Sequence, residues 1–211
     1  ILSIGAGEGF DAASATVFVG STPGRRVAFV AVAAGQDPAS ARETIRAARA
    51  QAAIVVVSVH NHETTDGSDT PADAVTALAH DAIAAGAQVV VEYGSRQIRG
   101  MERVGNGVVF YGLGLFSYDP AVTGLPSLAS DGAEGLVVTT AFDGETLTEV
   151  TIHPIQLQSD STAGSVGVPE RAKGSQAETI VQRFSALSTG EGQRLPFEAS
   201  DGALHLVVLK K

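Results

Sequence analysis

Short apolar runs alternate with helix-like segments through the first half of the chain, and this order restricts the possible folds more than any other feature. Residues 27–34 and 53–59 are apolar runs of strand length. Between them, the apolar residues from Ala41 to Ala52 follow helical spacing. Such alternation is typical of α/β folds with a parallel sheet. We therefore predict an α/β fold with buried strands.

Capping signals predict where the helices begin and end. Asp37 is a favourable N-cap and Pro38 suits the first helical position. Residues 70–73 give a second start signal, and Gly86 suits the end of that helix. Two further strands are predicted at residues 88–91 and 108–111.

The second half of the chain has a different pattern. Residues 136–142 and 146–157 flank Asp143-Gly144, which predicts a β-hairpin. A helix is predicted at residues 175–188, and a last strand at residues 204–209. We expect a single domain over residues 1–211, with an α/β part at 1–125 and the hairpin, helix and final strand at 126–211.

Composition excludes several classes of protein. The 211 residues include no cysteine, so neither a disulfide nor a thiolate metal site is possible, and a reducing, cytoplasmic location is favoured. The apolar runs are far shorter than the roughly 18 residues that a membrane span requires. The net charge of −9 argues against nucleic acid as a partner. An anionic ligand would have to meet a local cluster of arginines.

Two histidines follow the second apolar run directly. His60 and His62 are two residues apart, so in extended chain their side chains face the same way. Ligands of open α/β sheets bind at the carboxyl ends of strands, where these residues are expected. Either histidine could take or give a proton, with Glu63 orienting the imidazole. The alternative is that both histidines only satisfy backbone groups of a loop.

Three arginines follow the third predicted strand. Arg96, Arg99 and Arg103 recur at three- and four-residue spacing, so they share one face if the segment is helical. Arginine pairs bidentately with carboxylate, which suggests an anion site. The alternative is a solvated basic face that pairs with Glu92 and Glu102.

Three turns carry a resemblance to a known family. Residues 60–63 read HNHE, residues 92–96 read EYGSR and residues 109–116 read VFYGLGLF. The series resembles the CapA family of poly-γ-glutamate capsule synthesis (PGA_cap), whose fold is that of the calcineurin-like metallophosphatases. The resemblance implies an α/β/β/α sandwich. The family places histidines where this chain has Tyr93 and Arg96, and an asparagine where it has Leu115.

These replacements imply a degenerate metal site. Arginine cannot be deprotonated and cannot ligate a cation, so we expect no bound metal and no other cofactor. Arg96 then supplies the positive charge that metal ions supply in the family. The residues assigned to catalysis are His60, His62 and Glu63, and those assigned to substrate binding are Asn61, Tyr93, Arg96 and Arg99.

The resemblance leaves three functions open. The first is metal-independent acid/base chemistry on a peptide or polyglutamyl substrate, either epimerisation or amide hydrolysis. The second is a non-catalytic subunit that completes or regulates an active partner. The third is a metal-dependent phosphoesterase with its ligands in a segment that family members carry before the position of Ile1. Because a sheet lacking strands exposes an edge, we expect a second chain that supplies them, or a homodimer.

Overall fold

The computed structural model describes residues 16–20, 25–61, 68–118, 134–158 and 167–208. Within these ranges the chain forms three α-helices and two β-sheets. None of these helices is long and apolar enough to cross a membrane. The predicted boundary between residues 125 and 126 lies outside the described residues. The helices are α1 (Pro38–Arg49), α2 (Asp73–Ala84) and α3 (Gly174–Leu187).

The first sheet has eight strands and carries both turns of interest. Its strands are, in spatial order, β1 (Thr16–Val19), β2 (Val27–Ala33), β3 (Ile54–His60), β4 (Val89–Tyr93), β6 (Gly107–Phe110), β5 (Met101–Val104), β10 (Thr189–Gly190) and β11 (Gln193–Arg194). The pairs β2–β3, β3–β4 and β4–β6 are parallel. The carboxyl ends of these four strands therefore lie at one edge of the sheet.

The two helices between these strands begin differently. Asp37 caps α1 through a 2.9 Å bond that its carboxylate accepts from the Ser40 amide, as predicted. By contrast, α2 begins at Asp73, within the start signal predicted at residues 70–73, but after Ala72 and without a side-chain cap. Gly86 follows α2 with φ of +117°, and a Cβ there would lie 2.9 Å from Cγ of Arg49. Glycine is therefore needed where α2 ends, as predicted.

The second sheet contains the predicted hairpin. Its strands are, in spatial order, β12 (Glu198–Ser200), β13 (Ala203–Val207), β8 (Thr146–Leu157) and β7 (Glu134–Asp143), and β9 (Pro169–Arg171) also pairs with β8. Strands β7 and β8 are antiparallel and are joined at residues 143–146. The helix predicted in this half is α3, and it packs against β8 and β13.

Two hydrophobic cores hold these layers together. Val55 and Val57 of β3 are fully buried in the first core, where Ile45 of α1 packs against the first sheet. Phe110 of β6 and Phe184 of α3 are buried in the second core, with residues of both sheets. The parallel strands thus contribute alternate residues to two cores, which explains their nearly continuous apolar sequences. This layered arrangement confirms the predicted α/β fold class.

Candidate functional site

The turns after β3 and β4 meet at the carboxyl edge of the first sheet. His60 is the last residue of β3 and is paired in register with Tyr93, the last residue of β4. The two rings are stacked, with centroids 4.7 Å apart and an angle of 2° between their planes. His60 is partly buried, whereas half of the Tyr93 surface is exposed. The structure thus brings together the ends of β3 and β4, which carry the predicted site residues His60 and Tyr93.

A buried polar network lies directly beneath this edge. Asn61, Glu92 and Arg99 are only 2%, 1% and 0% exposed. The Asn61 side-chain amide donates to Glu92 Oε1 at 2.8 Å, and Arg99 Nη1 lies 3.5 Å from the same oxygen. Buried charges are costly unless they are paired and hydrogen-bonded, so this network has a specific structural role. It joins Asn61, the residue after β3, to Glu92 near the end of β4 and to Arg99 in the chain that follows.

Gly94 allows the two turns to come this close. Its φ is +127°, and a Cβ at this position would lie 1.8 Å from the carbonyl oxygen of Asn61. On the other side of that contact, the backbone N–H of Asn61 donates to the Tyr93 carbonyl oxygen at 2.9 Å. Because both contacts involve backbone, no side-chain movement could make room for a larger residue.

Arg99 faces the interior and is 0% exposed, and its assignment to substrate binding stays a prediction. Its Nε donates to the Ser68 carbonyl at 3.1 Å. Ser68 is the first described residue after the segment 62–67, which contains His62 and Glu63. Arg99 Nη2 has no hydrogen-bond partner among the described residues. The guanidinium thus ties the second turn to the chain that leaves the first.

The arginines do not form the helical face that their spacing suggested. Arg96 lies in a turn with φ of +56°, Arg99 precedes β5, and Arg103 lies within β5. Of the three arginines, only Arg96 is exposed, and it lies three residues after the exposed Tyr93. Neither alternative given for the three arginines is correct as a whole, because Arg99 is buried with Glu92. His62 and Glu63 lie outside the described residues, so their roles stay predictions.

A second polar cluster at the same edge was not predicted. The Tyr111 hydroxyl donates to Glu102 Oε2 at 2.5 Å, and His80 Nε2 lies 2.8 Å from that same oxygen. Burial raises the pKa of Tyr111 far above its usual value, and the hydrogen bond to Glu102 raises it further. The charge of Glu92 adds to this rise, which relates the cluster electrostatically to the network beneath the turns. Tyr111 therefore stays a neutral donor.

Comparison with known proteins identifies the family. The family model described as bacterial capsule synthesis protein PGA_cap matches residues 1–119, which is more than half of the chain. This chain belongs to the PGA_cap family. The resemblance seen in the turns is thereby confirmed, and with it the metallophosphatase-like α/β fold.

Two curated relatives of this PGA_cap chain come from Sinorhizobium fredii (strain NBRC 101917 / NGR234). The uncharacterized proteins y4sH and y4uA are each 28% identical over 229 residues. The match covers 90% of this chain and 50% of each relative. The chain thus spans about half the length of the curated relatives it matches.

The donors at the described turns do not fit the metal centre that a metallophosphatase fold implies. Tyr93 and Arg96 stand at positions where ligands are expected, and Arg96 is a cation. The Glu92 carboxylate already faces the Arg99 guanidinium at 3.5 Å. Within the described residues, no three His, Asp or Glu side chains are grouped to hold a metal ion.

Proposed function

We propose that this PGA_cap chain binds a peptide or polyglutamyl chain through a carboxylate, at the carboxyl edge of β3 and β4, without a metal ion. The observation that carries the proposal is the meeting of the two turns. The His60 ring stacks on Tyr93, and Arg96 is exposed on the same turn as Tyr93. A proton-transfer group, an aromatic surface and a cation therefore belong to one short edge.

Arg96 is the residue proposed to bind the carboxylate. Its planar guanidinium can donate two parallel hydrogen bonds to a carboxylate, which a lysine could not match in geometry. Tyr93 offers an exposed ring for the aliphatic part of a glutamyl side chain. Asn61 and Arg99 act in this proposal from below, because they are buried and hold the turns in place.

The proposed chemistry is proton transfer by histidine. In epimerisation, one imidazole removes the proton from a peptide Cα, and a proton donor on the opposite side returns a proton to the same carbon. In amide hydrolysis, the imidazole removes a proton from the attacking water and then delivers it to the leaving nitrogen. His60 or His62 would serve, with Glu63 orienting the ring. Stacking on Tyr93 limits the rotation of His60, which favours a defined direction for its nitrogen atoms.

Isotope exchange tests the catalytic part. Oligo-γ-glutamate and a glutamyl peptide are incubated with the protein in deuterated water, and mass spectrometry follows deuterium at Cα and cleavage of amide bonds. We expect His60→Ala or His62→Ala to lower the rate about 10²–10⁴-fold. If both variants keep the full wild-type rate, the catalytic role of these residues is wrong.

The second candidate is a non-catalytic subunit. It is favoured by one observation, that the chain covers only half the length of its curated relatives. In this case residues 1–211 act as one binding unit that completes an active partner chain, or a second copy. The wild-type chain alone would then bind the oligomer without exchange or cleavage, and activity would require the partner.

A further inference from the structure

An apolar groove lies on the same face of the first sheet as the stacked rings of His60 and Tyr93. Its volume is about 380 Å³, which is within the usual range for small-ligand sites. Strands of the first sheet form its floor, and β7 of the second sheet forms one wall. Ten of its eleven lining residues are apolar, and Thr140 is the exception. The groove therefore offers a ligand almost no side chain for hydrogen bonding.

Alternation along the strands relates the groove to the ring pair. Val57 of β3 is 0% exposed in the first core, so Val56 and His60, at alternate positions, face the other side of the sheet. On β4, Val91 lines the groove. Tyr93 is the next residue on the same face of β4, about 7 Å further along the strand. The floor of the groove therefore leads towards the stacked rings.

The backbone groups of the floor are already paired. The strands β2, β3, β4 and β6 each have a hydrogen-bonded neighbour on both sides. The deepest lining residues, Val89 and Phe110, are only 4% and 1% exposed. A peptide in this position would lose hydrogen bonds to water that the floor could not replace, which is costly for every N–H and C=O group. An alkyl chain has no such groups, so the floor favours an alkyl chain over a peptide.

The carboxyl edge beyond the groove has the opposite chemistry. Among the described residues that line the groove, none is charged. Arg96, by contrast, is exposed on the turn that follows β4, and its guanidinium suits a carboxylate. An apolar groove that leads towards a cationic turn is complementary to an amphiphile, which joins an alkyl chain to a charged head group.

We infer that the groove binds the single alkyl chain of an amphiphilic ligand whose carboxylate lies at the carboxyl edge of β3 and β4. The position of the carboxylate rests on the function proposed above, whereas the alkyl site rests on the groove alone. An N-acyl glutamate or an N-acylated glutamyl peptide has this chemistry. Affinity then comes mainly from the methylene groups that leave water, as for other apolar sites.

Isothermal titration of the protein with N-acyl glutamates tests the alkyl site. The acyl group is lengthened from acetyl through butanoyl and octanoyl to dodecanoyl, at concentrations below those at which micelles form. We expect the affinity to rise about two- to fourfold for each added methylene until the chain fills the groove. Equal affinities along the series would overturn the inference.

Two pairs of neighbouring residues on β7 test where the alkyl chain lies. Val138 and Thr140 line the groove, whereas Val137 and Thr139 are exposed on the opposite face of the strand. Val138→Phe or Thr140→Phe would fill the groove and should weaken the binding of N-dodecanoyl-glutamate at least tenfold. Val137→Phe and Thr139→Phe should leave it unchanged. Wild-type affinity in a folded groove variant, or an equal loss in its outer-face control, contradicts the site.

The wild-type protein gives a second measurement that does not depend on how the variants fold. In nuclear magnetic resonance spectra of the complex with N-dodecanoyl-glutamate, the acyl methylene protons should show Overhauser contacts to the methyl groups of Val56 and Val91. They should show none to Val57, which faces the first core. Acyl contacts that miss Val56 and Val91 would place the chain elsewhere and overturn the inference.

The same titrations with Arg96→Ala separate this inference from the proposed function. A gain with chain length, together with weaker binding by Arg96→Ala, supports both. Weaker binding by Arg96→Ala without any gain along the series overturns the alkyl site and leaves the carboxylate site standing. A gain along the series with wild-type affinity in Arg96→Ala overturns the carboxylate contact and leaves the alkyl site standing.

Discussion

Arg99 illustrates how one buried side chain can organise a site that it does not reach. It is fully buried, and its contacts run to Glu92 and to the Ser68 carbonyl. These contacts connect the end of β4 with Ser68, and Glu92 in turn accepts a hydrogen bond from the Asn61 side chain. Burying this charge is costly, and the contact with Glu92 offsets part of that cost.

Removing one member of this pair should be strongly destabilising. We expect Arg99→Ala to lower the free energy of unfolding by about 3–5 kcal/mol, because Glu92 is left as a buried charge without the guanidinium. Replacing both residues with apolar ones, as in Glu92→Leu with Arg99→Met, should restore most of that loss. Urea denaturation measures both, with Arg103→Ala as the control. A loss below about 1 kcal/mol for Arg99→Ala would contradict this role.

Gly94 and Gly105 form a matched pair for testing the approach of the turns. Both have positive φ, +127° and +56°, but only Gly94 has backbone where a Cβ would lie. Gly105→Ala should cost about 1–2 kcal/mol for the left-handed conformation alone. Gly94→Ala should cost more, and it should also separate His60 from Tyr93. Thermal unfolding measures the first effect, and ring-current shifts of the His60 protons measure the second. Equal costs would mean that the turns are not in close contact.

Tyr111 gives the chain a predictable response to alkaline pH. Its pKa in the folded state lies above the ordinary value of 10.0, chiefly because the phenol is buried. Above about pH 10 the unfolded chain releases this proton while the folded chain keeps it, so stability is present below that pH and falls as the pH rises. Tyr111→Phe should remove this part of the fall. Urea denaturation between pH 8 and pH 11 measures it, and identical slopes for wild type and variant would contradict it.

At the level of elements, the two helix starts show which local signals are reliable. Asp37 accepts a hydrogen bond from the Ser40 amide, whereas α2 begins three residues after Thr70 without a side-chain cap. Asp37→Ala should therefore lower the free energy of unfolding by about 1 kcal/mol. Thr70→Ala should change it by less than about 0.5 kcal/mol. Chemical denaturation of the two variants checks this, and similar losses would show that residue 70 also caps a helix.

Strands that contain apolar runs were predictable, and short strands were not. β2, β3 and β4 are buried on at least one face and bounded by turns, so their sequences identify them. β5 is a four-residue strand that exists because it pairs with β6, and its sequence MERV carries no period of its own. The arginine spacing fits one face of a helix, but three- and four-residue intervals also arise by chance in turns and strands.

For the molecule as a whole, parts of the site could be predicted because parallel strands end at one edge. The meeting of the turns after β3 and β4 follows from that rule and from the family resemblance. Sequence could not indicate that Asn61 and Arg99 point inward, since burial depends on partners such as Glu92. The cluster of His80, Glu102 and Tyr111 was missed because Glu102 and Tyr111 lie 22 and 31 residues after His80 and meet it only in the folded chain.

The central claim is that this edge binds a carboxylate-bearing chain without a metal ion. Isothermal titration with oligo-γ-glutamate, after exhaustive treatment with a chelator, tests it most directly. Arg46, exposed near the end of α1 that leads to the start of β3, provides the matched control.

We expect the treated protein to bind as tightly as the untreated one. Arg96→Ala should weaken binding up to about fivefold, as expected for an exposed ion pair worth about 0.2–1 kcal/mol, and Arg46→Ala should not. Binding that disappears on chelation and returns with added manganese or zinc would contradict the claim, as would equal affinities for Arg96→Ala and wild type.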